Sequence, residues 1–350
     1  MKIFHLFFGF RMGGAESMVI DLAGRQVARG HDVSLVVLND ETDPALVARL
    51  DPRVAVSLLG RRPGSRDPRP LLHLNRLIWR SRPDILHFHN IGLPAAVMPP
   101  LRRHAVMTLH TTSLPVGKAR GAALVAISDR VADEVRHDHP GLPVTTVYNA
   151  IDFDAVPRRG RRAPGRPVRL VQLGRVFADV KGQDLAIEAV ARLVKGGTAD
   201  VTVDFIGPGP DIDKLSALAG RLGVGDRVRF LGGLSRAETY GILPEYDLMV
   251  HPSRIEGFGL AIIEGMAAGV PVITTDSGAP AEVAAHGRLG RVFAYGDAEA
   301  LAEAVRADID DYDAALGRAA RAYDEAGRLY SLDTMADAYD ILYRKTCDKQ

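Results

Sequence analysis

Hydrophobic residues along the chain fall into short runs, and longer segments with helical periodicity separate several of these runs. In the first half the runs are KIFHLFF, DVSLVVL, DILHFHN, AVMTLHT, ALVAIS and VTTVYNA. Amphipathic segments such as AESMVIDLAGRQVARG and PLLHLNRLIWRSR lie between them. Short buried strands that alternate with helices are typical of a parallel sheet covered by helices. The pattern therefore predicts an α/β fold for this half.

The pattern is interrupted at residues 155–169 and then starts again. This stretch, AVPRRGRRAPGRPVR, holds six arginines, three prolines and two glycines, a composition typical of a linker. After it come LVQLGRV, a helical segment from about Gln183 to Lys195, VTVDFIG, VRFLGG and DLMVHPS. We therefore expect two Rossmann-like domains, residues 1–160 and 166–330, that face each other across a cleft. A C-terminal helix at about 331–350 should pack back on the first domain.

The segment 253–275, SRIEGFGLAIIEGMAAGVPVITT, is predicted to form a loop, a short helix ending at Gly269 and a strand. Glu256 then lies in the loop and Glu264 lies on the helix. Gly257 and Gly259 allow a backbone to approach a ligand closely, and the helix start offers free N–H groups to an anion. The segment is suited to a ligand with phosphate at one end and hydroxyl groups at the other.

Composition places few limits on function. The 350 residues are 47% hydrophobic and 25% charged, which is ordinary for a globular protein. The single Cys347 excludes a disulfide scaffold and a cysteine zinc site. Arg11 interrupts the apolar start, so we interpret that start as a strand and not a signal peptide. No apolar run approaches the ~18 residues of a spanning helix, and we expect a cytoplasmic protein.

Charge is distributed unevenly between the two halves. Residues 1–165 hold 23 Lys and Arg against 15 Asp and Glu, a balance of +8, whereas residues 166–350 hold 21 against 28, a balance of −7. The excess suggests that the first half meets an anionic partner or surface. The alternative is that it reflects the high arginine use of the whole sequence.

Several motifs together resemble a known family. GRVFADVKG at 174–182, with Glu256-Gly-Phe-Gly and Glu264, resembles the retaining glycosyltransferases of family 4, the glycosyl transferases group 1, which have the GT-B fold. The likeness continues, in the family's order, in MGGAE at 12–16, TLH at 108–110, VYNAID at 147–152, IGPGP at 206–210 and FLGGL at 230–234. It implies transfer of a sugar from a nucleotide-sugar to an acceptor hydroxyl, in the synthesis of cell-surface polysaccharide or glycolipid.

The resemblance assigns roles that the chemistry supports. A leaving diphosphate needs cations as its charge grows, and Arg175 and Lys181 supply them after the second domain's first strand. Glu256 and His110 would lie by the donor sugar, and Glu264 would accept hydrogen bonds from ribose hydroxyls. The implied catalytic residues are Glu256, His110, Arg175 and Lys181. The implied donor-binding residues are Gly13, Gly14, Gly174, Gly257, Phe258, Gly259, Leu260, Glu264 and Leu231.

The resemblance also implies that no metal and no cofactor is needed beyond the donor, a UDP-sugar in preference to a GDP-sugar. His87 and His89 alternate along one strand without a carboxylate cluster, so we expect a shared face and not a metal site. Expected partners are the nucleotide-sugar and a glycan or lipid-linked acceptor, without nucleic acid.

The helix at 70–83 suggests reversible contact with an anionic membrane, at the inner face of the plasma membrane. Leu71, Leu74 and Ile78 recur at helical spacing. Three basic residues of the same segment could reach lipid phosphates, and Trp79 could rest at the membrane interface. The basic residues are Arg76, Arg80 and Arg82. The alternative is that the apolar residues simply pack this helix on its own sheet.

Other functions fit the sequence less well. A sugar-nucleotide epimerase or hydrolase on the same fold remains an alternative, and paired carboxylates alone would also suit a glycosidase. A dinucleotide-dependent oxidoreductase lacks its glycine spacing in GFRMGGAE. A non-catalytic binding protein is disfavoured because the charged donor-site residues are all present. The chain departs from the family at Gly265, usually alanine, and at Gly278-Ala279, often a double glycine.

Overall fold

The protein is described here by a computed structural model that covers residues 1–119, 121–160, 162–197, 200–276 and 278–348. It divides into two compact units, the first formed by Met1–Ile151 with the segment from Leu332 onward, the second by Asp152–Ser331. Each unit is built on one parallel sheet, so the predicted fold class of two parallel-sheet α/β domains is confirmed.

The first unit is built around seven strands in the described residues, in the order β3-β2-β1-β4-β5-β6-β7. The strands are β1 (Lys2–Phe7), β2 (Asp32–Asn39), β3 (Ala55–Arg61), β4 (Ile85–Phe88), β5 (Ala105–Leu109), β6 (Ala123–Ala126) and β7 (Val144–Thr146). Its helices up to residue 151 are α1 (Gly14–Ala28), α2 (Pro44–Val47), α3 (Arg69–Ser81) and α4 (Asp129–Asp138). The strand order reverses between β1 and β4, and ligands of open α/β sheets bind at the carboxyl ends of strands at such a point.

The second unit repeats this plan with six strands in the described residues, in the order β10-β9-β8-β11-β12-β13. The strands are β8 (Val168–Leu173), β9 (Val201–Ile206), β10 (Val228–Gly232), β11 (Leu248–His251), β12 (Val272–Thr275) and β13 (Arg291–Phe293). The helices are α5 (Ala178–Lys181), α6 (Gln183–Lys195), α7 (Ile212–Arg221), α8 (Arg236–Ile242), α9 (Leu260–Ala267), α10 (Gly278–Val283), α11 (Ala298–Asp310) and α12 (Tyr312–Leu329). Here the order reverses between β8 and β11.

The last helix, α13 (Leu332–Cys347), returns to the first unit. Its apolar face, with Met335, Ala336, Tyr339 and Tyr343, is buried in the same core as the strands of the first sheet. The C-terminal helix is therefore an integral part of the first unit's core. Lys349 and Gln350, the end of the predicted helix, lie outside the described residues.

The segment predicted to be a linker belongs to the second unit. Arg159 is buried and pairs with the equally buried Asp247 at 2.9 Å, and its backbone N–H donates to Ala268. The carboxylate of Asp247 also accepts from the backbone of Gly165 and Arg169, where β8 is beginning. The first unit thus ends at Ile151 and not near residue 160. The arginine-rich stretch belongs to the second unit because its side chains and backbone bind the buried carboxylate of Asp247. Arg161 lies outside the described residues.

Two strands are absent from the predicted runs. β3 is an edge strand whose Val56 and Leu58 are exposed, so it lacks the continuous apolar run of the buried parallel strands. β13 has three residues, too few for a recognisable pattern. Among the described residues, no helix combines the length and apolar character needed to cross a membrane.

Candidate active site

The loop that follows β8 is locked in place by its neighbours in the sheet. Gly174 donates a backbone hydrogen bond to Ile206 at 3.0 Å, and Val176 donates to Pro208 at 2.9 Å. The backbones approach so closely that a Cβ on Gly207 would lie 2.1 Å from the Gly174 carbonyl oxygen. A side chain at 207 would therefore displace the loop that carries Arg175. This contact explains why the predicted IGPGP motif belongs beside GRVFADVKG.

Two buried glutamines hold the backbone at both predicted cations. Gln172 Nε2 donates to the carbonyl of Lys181 at 2.7 Å, and Gln183 Nε2 donates to the carbonyl of Arg175 at 3.0 Å. Both glutamine side chains are almost completely buried. Sequence reasoning missed them, although a glutamine inside the apolar run LVQL was a signal, because buried polar groups need partners.

The two cations themselves differ in their surroundings. Lys181 Nζ lies 2.6 Å from Glu256 Oε2, and both side chains are about one-fifth exposed or less. Arg175 is exposed, and within the described residues its guanidinium has no ion-pair partner. The structure therefore brings Lys181 and Glu256 together, and leaves the guanidinium of Arg175 available to an anion.

Glu256 is held ionised by its neighbours. Burial alone would raise the pKa of this carboxyl, but contacts with His251 and the Lys181 ammonium outweigh it and hold the pKa well below the usual range. His251 ends β11, is buried, and places Nε2 3.5 Å from Oε2, long for a hydrogen bond. Sequence reasoning missed His251, since a lone histidine at a strand end gives no specific signal.

The loop that carries Glu256 is attached to α5, which ends at Lys181, and to the start of α6. Arg254 forks onto Asp184 with bonds of 2.7 and 2.8 Å, and the backbone N–H groups of Arg254 and Ile255 both donate to the Val180 carbonyl. A bidentate arginine–carboxylate pair fixes geometry as well as charge. These bonds fix the short Lys181–Glu256 distance.

The start of α9 provides free backbone donors beside this pair. Gly259, which has no side chain to cap the helix, has φ of +105°, a conformation that favours glycine. The first N–H groups of the helix, beginning at Leu260, can therefore be offered to an anion. Phe258 plays a supporting part, because its ring is buried edge-on against Tyr330. Gly257 lies between this aromatic anchor and Glu256.

The remaining predicted residues of the second unit lie near the ends of other elements. Glu264 is half-buried on α9, and the hydroxyl of Tyr240 on α8 donates to its Oε1 at 3.4 Å. Leu231 is half-buried in β10. At 3.4 Å this contact is long for a hydrogen bond between two oxygens.

In the first unit, Gly13 and Gly14 begin α1 directly after the β1 loop. Gly13 has an extended backbone, so its role is space: a Cβ there would lie 2.4 Å from Oε2 of Glu16. Burial raises the pKa of Glu16, and a hydrogen bond from its own backbone opposes the shift. Gly13 thus leaves room for the acidic side chain of Glu16 at the start of the helix.

His110 follows β5, and its two ring nitrogens differ. Nε2 lies 3.1 Å from His89 Nδ1, whereas Nδ1 is buried and has no hydrogen-bond partner among the described residues. The residue as a whole keeps some exposure, but its ring is enclosed, and this burial lowers the pKa of His110 to about 4. His110 is therefore neutral at pH 7, with one nitrogen left for another partner.

Three buried histidines, His5 on β1, His87 on β4 and His89 just after β4, form a cluster that the sequence did not reveal. Ring nitrogens of His5, His87 and His89 lie within 4.8 Å of one another, and the rings of His87 and His89 are 4.2 Å apart. Each nitrogen in the cluster already has a hydrogen-bond partner. Three histidines can hold a metal ion, but these hydrogen bonds favour a network of neutral rings.

The fold and these residues define a class of protein. Two parallel-sheet α/β units, with a Lys–Glu pair and a helix start at the strand ends of the second, have the plan of GT-B glycosyltransferases. The structure of Anabaena HepE in complex with UDP-glucose has this fold: it aligns with a TM-score of 0.82 and 20% identity, covering 99% of this chain and 100% of HepE.

Sequence comparison identifies the family. The model of the glycosyl transferases group 1 matches residues 157–328, and that of glycosyltransferase family 4 matches residues 12–155. Glycogen synthase of Mycobacterium tuberculosis is 31% identical over 286 residues, 75% of this chain and 69% of that protein. Phosphatidyl-myo-inositol mannosyltransferase of Mycobacterium leprae is 27% identical over 340 residues, 89% of each chain. The chain belongs to the family 4 glycosyltransferases.

Proposed function

We propose that this glycosyltransferase is a retaining enzyme that transfers a sugar from a UDP-sugar to an acceptor hydroxyl in polysaccharide or glycolipid synthesis. One observation carries the proposal: the Lys181 ammonium and the Glu256 carboxylate form a 2.6 Å pair beside the free start of α9. Such a site combines donors for a diphosphate with an acceptor for sugar hydroxyls.

The proposed roles follow from charge. As the bond between the sugar's anomeric carbon and the diphosphate oxygen breaks, negative charge grows on the diphosphate, and Arg175, Lys181 and the N–H groups of α9 stabilise it. The acceptor hydroxyl forms the new bond on the face that the diphosphate leaves. Its proton goes to a phosphate oxygen of the departing nucleoside diphosphate. In this scheme the fixed protein cations do the work that a metal ion does in other transferases.

The choice of donor is supported by the structural relative and by the site. HepE was crystallised with UDP-glucose, and its fold matches this chain throughout. Glu264 on α9, which the Tyr240 hydroxyl contacts, is the proposed acceptor for the ribose hydroxyls of the nucleotide. A ribose contact does not discriminate between bases, so the preference for uridine is the part of the proposal that a ligand screen must test.

A thermal-shift screen with UDP, UDP-glucose, GDP-mannose and ADP-glucose tests the donor. A ligand at 100 times its dissociation constant stabilises the protein by ~2.7 kcal/mol, which is easily measured. We expect the largest shift with UDP compounds and a much smaller shift in Lys181→Ala. Stabilisation by GDP-mannose alone would show that the donor carries guanosine and not uridine. If no nucleotide stabilised the protein, the proposed donor site would be contradicted.

A lipid-linked acceptor is supported by the outer face of α3. Leu72 and Trp79 are more than 60% exposed, and Arg76 and Arg80 lie exposed beside them. Exposed apolar residues among arginines suit the surface of an anionic membrane. The relative from Mycobacterium leprae is named a phosphatidyl-myo-inositol mannosyltransferase. We propose reversible membrane contact through this face, on the side where the acceptor lipid lies.

The membrane proposal changes the residues first expected to make the contact. Leu74 and Ile78 are buried on the first unit's own sheet, so they pack the helix and are not available to lipid. Leu71 is half-buried. The epimerase or hydrolase alternative is not favoured by the family match, which describes glycosyl transfer.

A further inference from the structure

A chain of hydrogen bonds leads from His110 into the core of the first unit. His110 Nε2 lies 3.1 Å from His89 Nδ1, and His89 Nε2 lies 3.0 Å from His5 Nδ1. His5 Nε2 then lies 2.8 Å from Oε1 of Gln26 on α1. Gln26 Nε2 reaches the hydroxyl of Tyr343 on α13 at 3.4 Å. Apart from the half-exposed residue His110, every member of the chain is buried.

The protons in this chain can be placed from the acceptor at its end. Gln26 Oε1 can only accept, so His5 must donate through Nε2, and a neutral His5 then keeps a bare Nδ1. His89 must therefore donate through Nε2 and accept through Nδ1. It follows that His110 donates through Nε2. Its Nδ1 is left without a proton, and this is the nitrogen that has no partner among the described residues.

This assignment requires each ring to be neutral, and the surroundings make them so. Burial lowers the pKa of His5 to about 4, although its bond to Gln26 opposes the shift. Burial also lowers the pKa of His89 well below its usual value, with the neighbouring histidines acting in the same direction. At neutral pH each imidazole therefore carries one proton, and one hydrogen-bond direction runs through the whole chain.

The orientation of the Gln26 amide sets that direction, and Tyr343 holds the amide. The Tyr343 hydroxyl accepts from Gln26 Nε2 and donates to His87 Nδ1 at 2.7 Å. His87 is neutral because burial lowers its pKa, so its Nε2 donates to Thr108 at 2.7 Å. A reversed amide would reverse every bond in the chain and leave His110 with a proton on Nδ1.

We propose that Gln26 is a positioning residue that fixes His110 in the Nε2–H tautomer, through His89 and His5, with Tyr343 as the lock on its amide. The proposal deepens the proposed function and rests on it, because the family resemblance gives His110 a role toward the donor sugar. The fixed tautomer presents a bare Nδ1, which can accept a hydrogen bond from a ligand hydroxyl and cannot donate one. Through Tyr343, the C-terminal helix α13 thereby determines which ring nitrogen of His110, the residue after β5, carries the proton.

Nitrogen-15 NMR of the histidine rings in the full chain tests the tautomer directly, since protonated and bare ring nitrogens resonate far apart. We expect His110, His89 and His5 in the Nε2–H form at pH 7. His110 with its proton on Nδ1, or an equal mixture of the two tautomers, would overturn the proposal. This readout needs no substrate, so absence of sugar transfer with the expected tautomer would contradict the proposed function alone.

Two tyrosines of α13 supply a matched pair of variants. Tyr343→Phe removes the hydroxyl that holds the Gln26 amide, and we expect a mixture of His110 tautomers together with a raised donor KM and a smaller change in kcat. Tyr339→Phe removes an equally buried hydroxyl that contacts Thr108 at 2.9 Å, and should leave the His110 tautomer unchanged. Equal effects of the two variants would show a structural role only, and overturn the proposal.

Gln26→Leu provides the stronger change. It removes the acceptor for His5, so we expect His5, His89 and His110 to lose their common tautomer. If this variant fails to fold, the Tyr343→Phe and Tyr339→Phe comparison still decides the question. A folded Gln26→Leu protein whose His110 keeps the Nε2–H form would show that the amide does not set it.

Discussion

Lys181 Nζ and Glu256 Oε2 lie 2.6 Å apart, although Lys181 ends the short helix after β8 and Glu256 lies in the loop after β11. The ion pair holds the Lys181 ammonium in a defined position. Glu256 remains ionised, because the neighbours of Glu256 hold the pKa of its carboxyl well below the usual range. A diphosphate that binds at the start of α9 can then share the ammonium with a carboxylate that does not take up a proton at neutral pH.

Close packing explains why the chain has Gly265 where the family usually has alanine. A Cβ at this position would lie 2.6 Å from the sulfur of Met249 and 3.1 Å from Val272 Cγ2, both buried. We expect Gly265→Ala to destabilise the second unit by ~1–3 kcal/mol through overpacking, against a gain of up to ~1 kcal/mol in helix propensity. Urea denaturation measures the difference.

The same contact supplies a control. Combining Gly265→Ala with Met249→Val should recover much of the loss, because the smaller β-branched side chain vacates the space and suits a strand. Additive losses in the double variant would show that the Met249 contact is not the cause.

The buried histidines predict a pH-dependent stability. His5 and His110 have pKa values lowered to about 4, so between that value and about 6.5 the unfolded chain binds protons that the folded chain does not. The free energy of unfolding should therefore fall as the pH falls through this window, by up to about 1.4 kcal/mol per pH unit for each such histidine. Urea denaturation at pH 7, 6 and 5 measures the slope.

A surface histidine gives the comparison for this experiment. His137 is exposed on α4, and His137→Gln should leave the pH dependence of stability as it is in the unchanged protein. Constant stability from pH 7 to pH 5 would show that the buried rings are not neutral in the folded state.

Much of the fold was predictable because buried parallel strands have a clear apolar signature. The helix predicted from Gln183 to Lys195 is found with those bounds. β3 was not predicted because an edge strand exposes alternate residues. The linker was misplaced because its arginines suggested a solvent-exposed segment, whereas Arg159 pairs with the buried carboxylate of Asp247. Tertiary partners of this kind leave no local pattern.

The candidate site was predictable where a motif carries it and not where its supports lie far away in sequence. Arg175, Lys181 and Glu256 stand in recognisable segments. Gln172 and His251 act by contacts formed only in the folded unit, and Gln26 acts on His110 through two other rings. A sequence shows which residue types are present, but the direction of a hydrogen-bond chain depends on distances of about 3 Å between separate elements.

Membrane contact through α3 predicts a salt-dependent association. Each basic residue near an anionic surface contributes ~1 kcal/mol, and salt screens it, so binding to anionic vesicles should be strong at low salt and weak at high salt. Trp79→Ser should reduce co-sedimentation. Ile341→Ser, which removes a similarly exposed apolar residue from α13, should not. Equal and negligible binding to anionic and neutral vesicles would favour a soluble acceptor.

Chelation tests the role given to the protein's cations. Because Arg175 and Lys181 are proposed to stabilise the leaving diphosphate, sugar transfer should continue at an unchanged rate in EDTA. The rate of nucleoside diphosphate release measures this. Complete loss of transfer, restored by magnesium or manganese, would show that a metal ion and not these side chains stabilises the leaving diphosphate.

The most direct test of the donor site is nucleoside diphosphate release from the preferred nucleotide-sugar by Arg175→Ala, Lys181→Ala and Glu256→Ala, measured beside Lys195→Ala. Lys195 is an exposed lysine at the end of α6 and serves as the matched control. Each of the first three substitutions should lower turnover by ~10²–10³ with circular dichroism unchanged, and Lys195→Ala should not lower turnover. Near-normal turnover in all three site variants would contradict the proposed donor site.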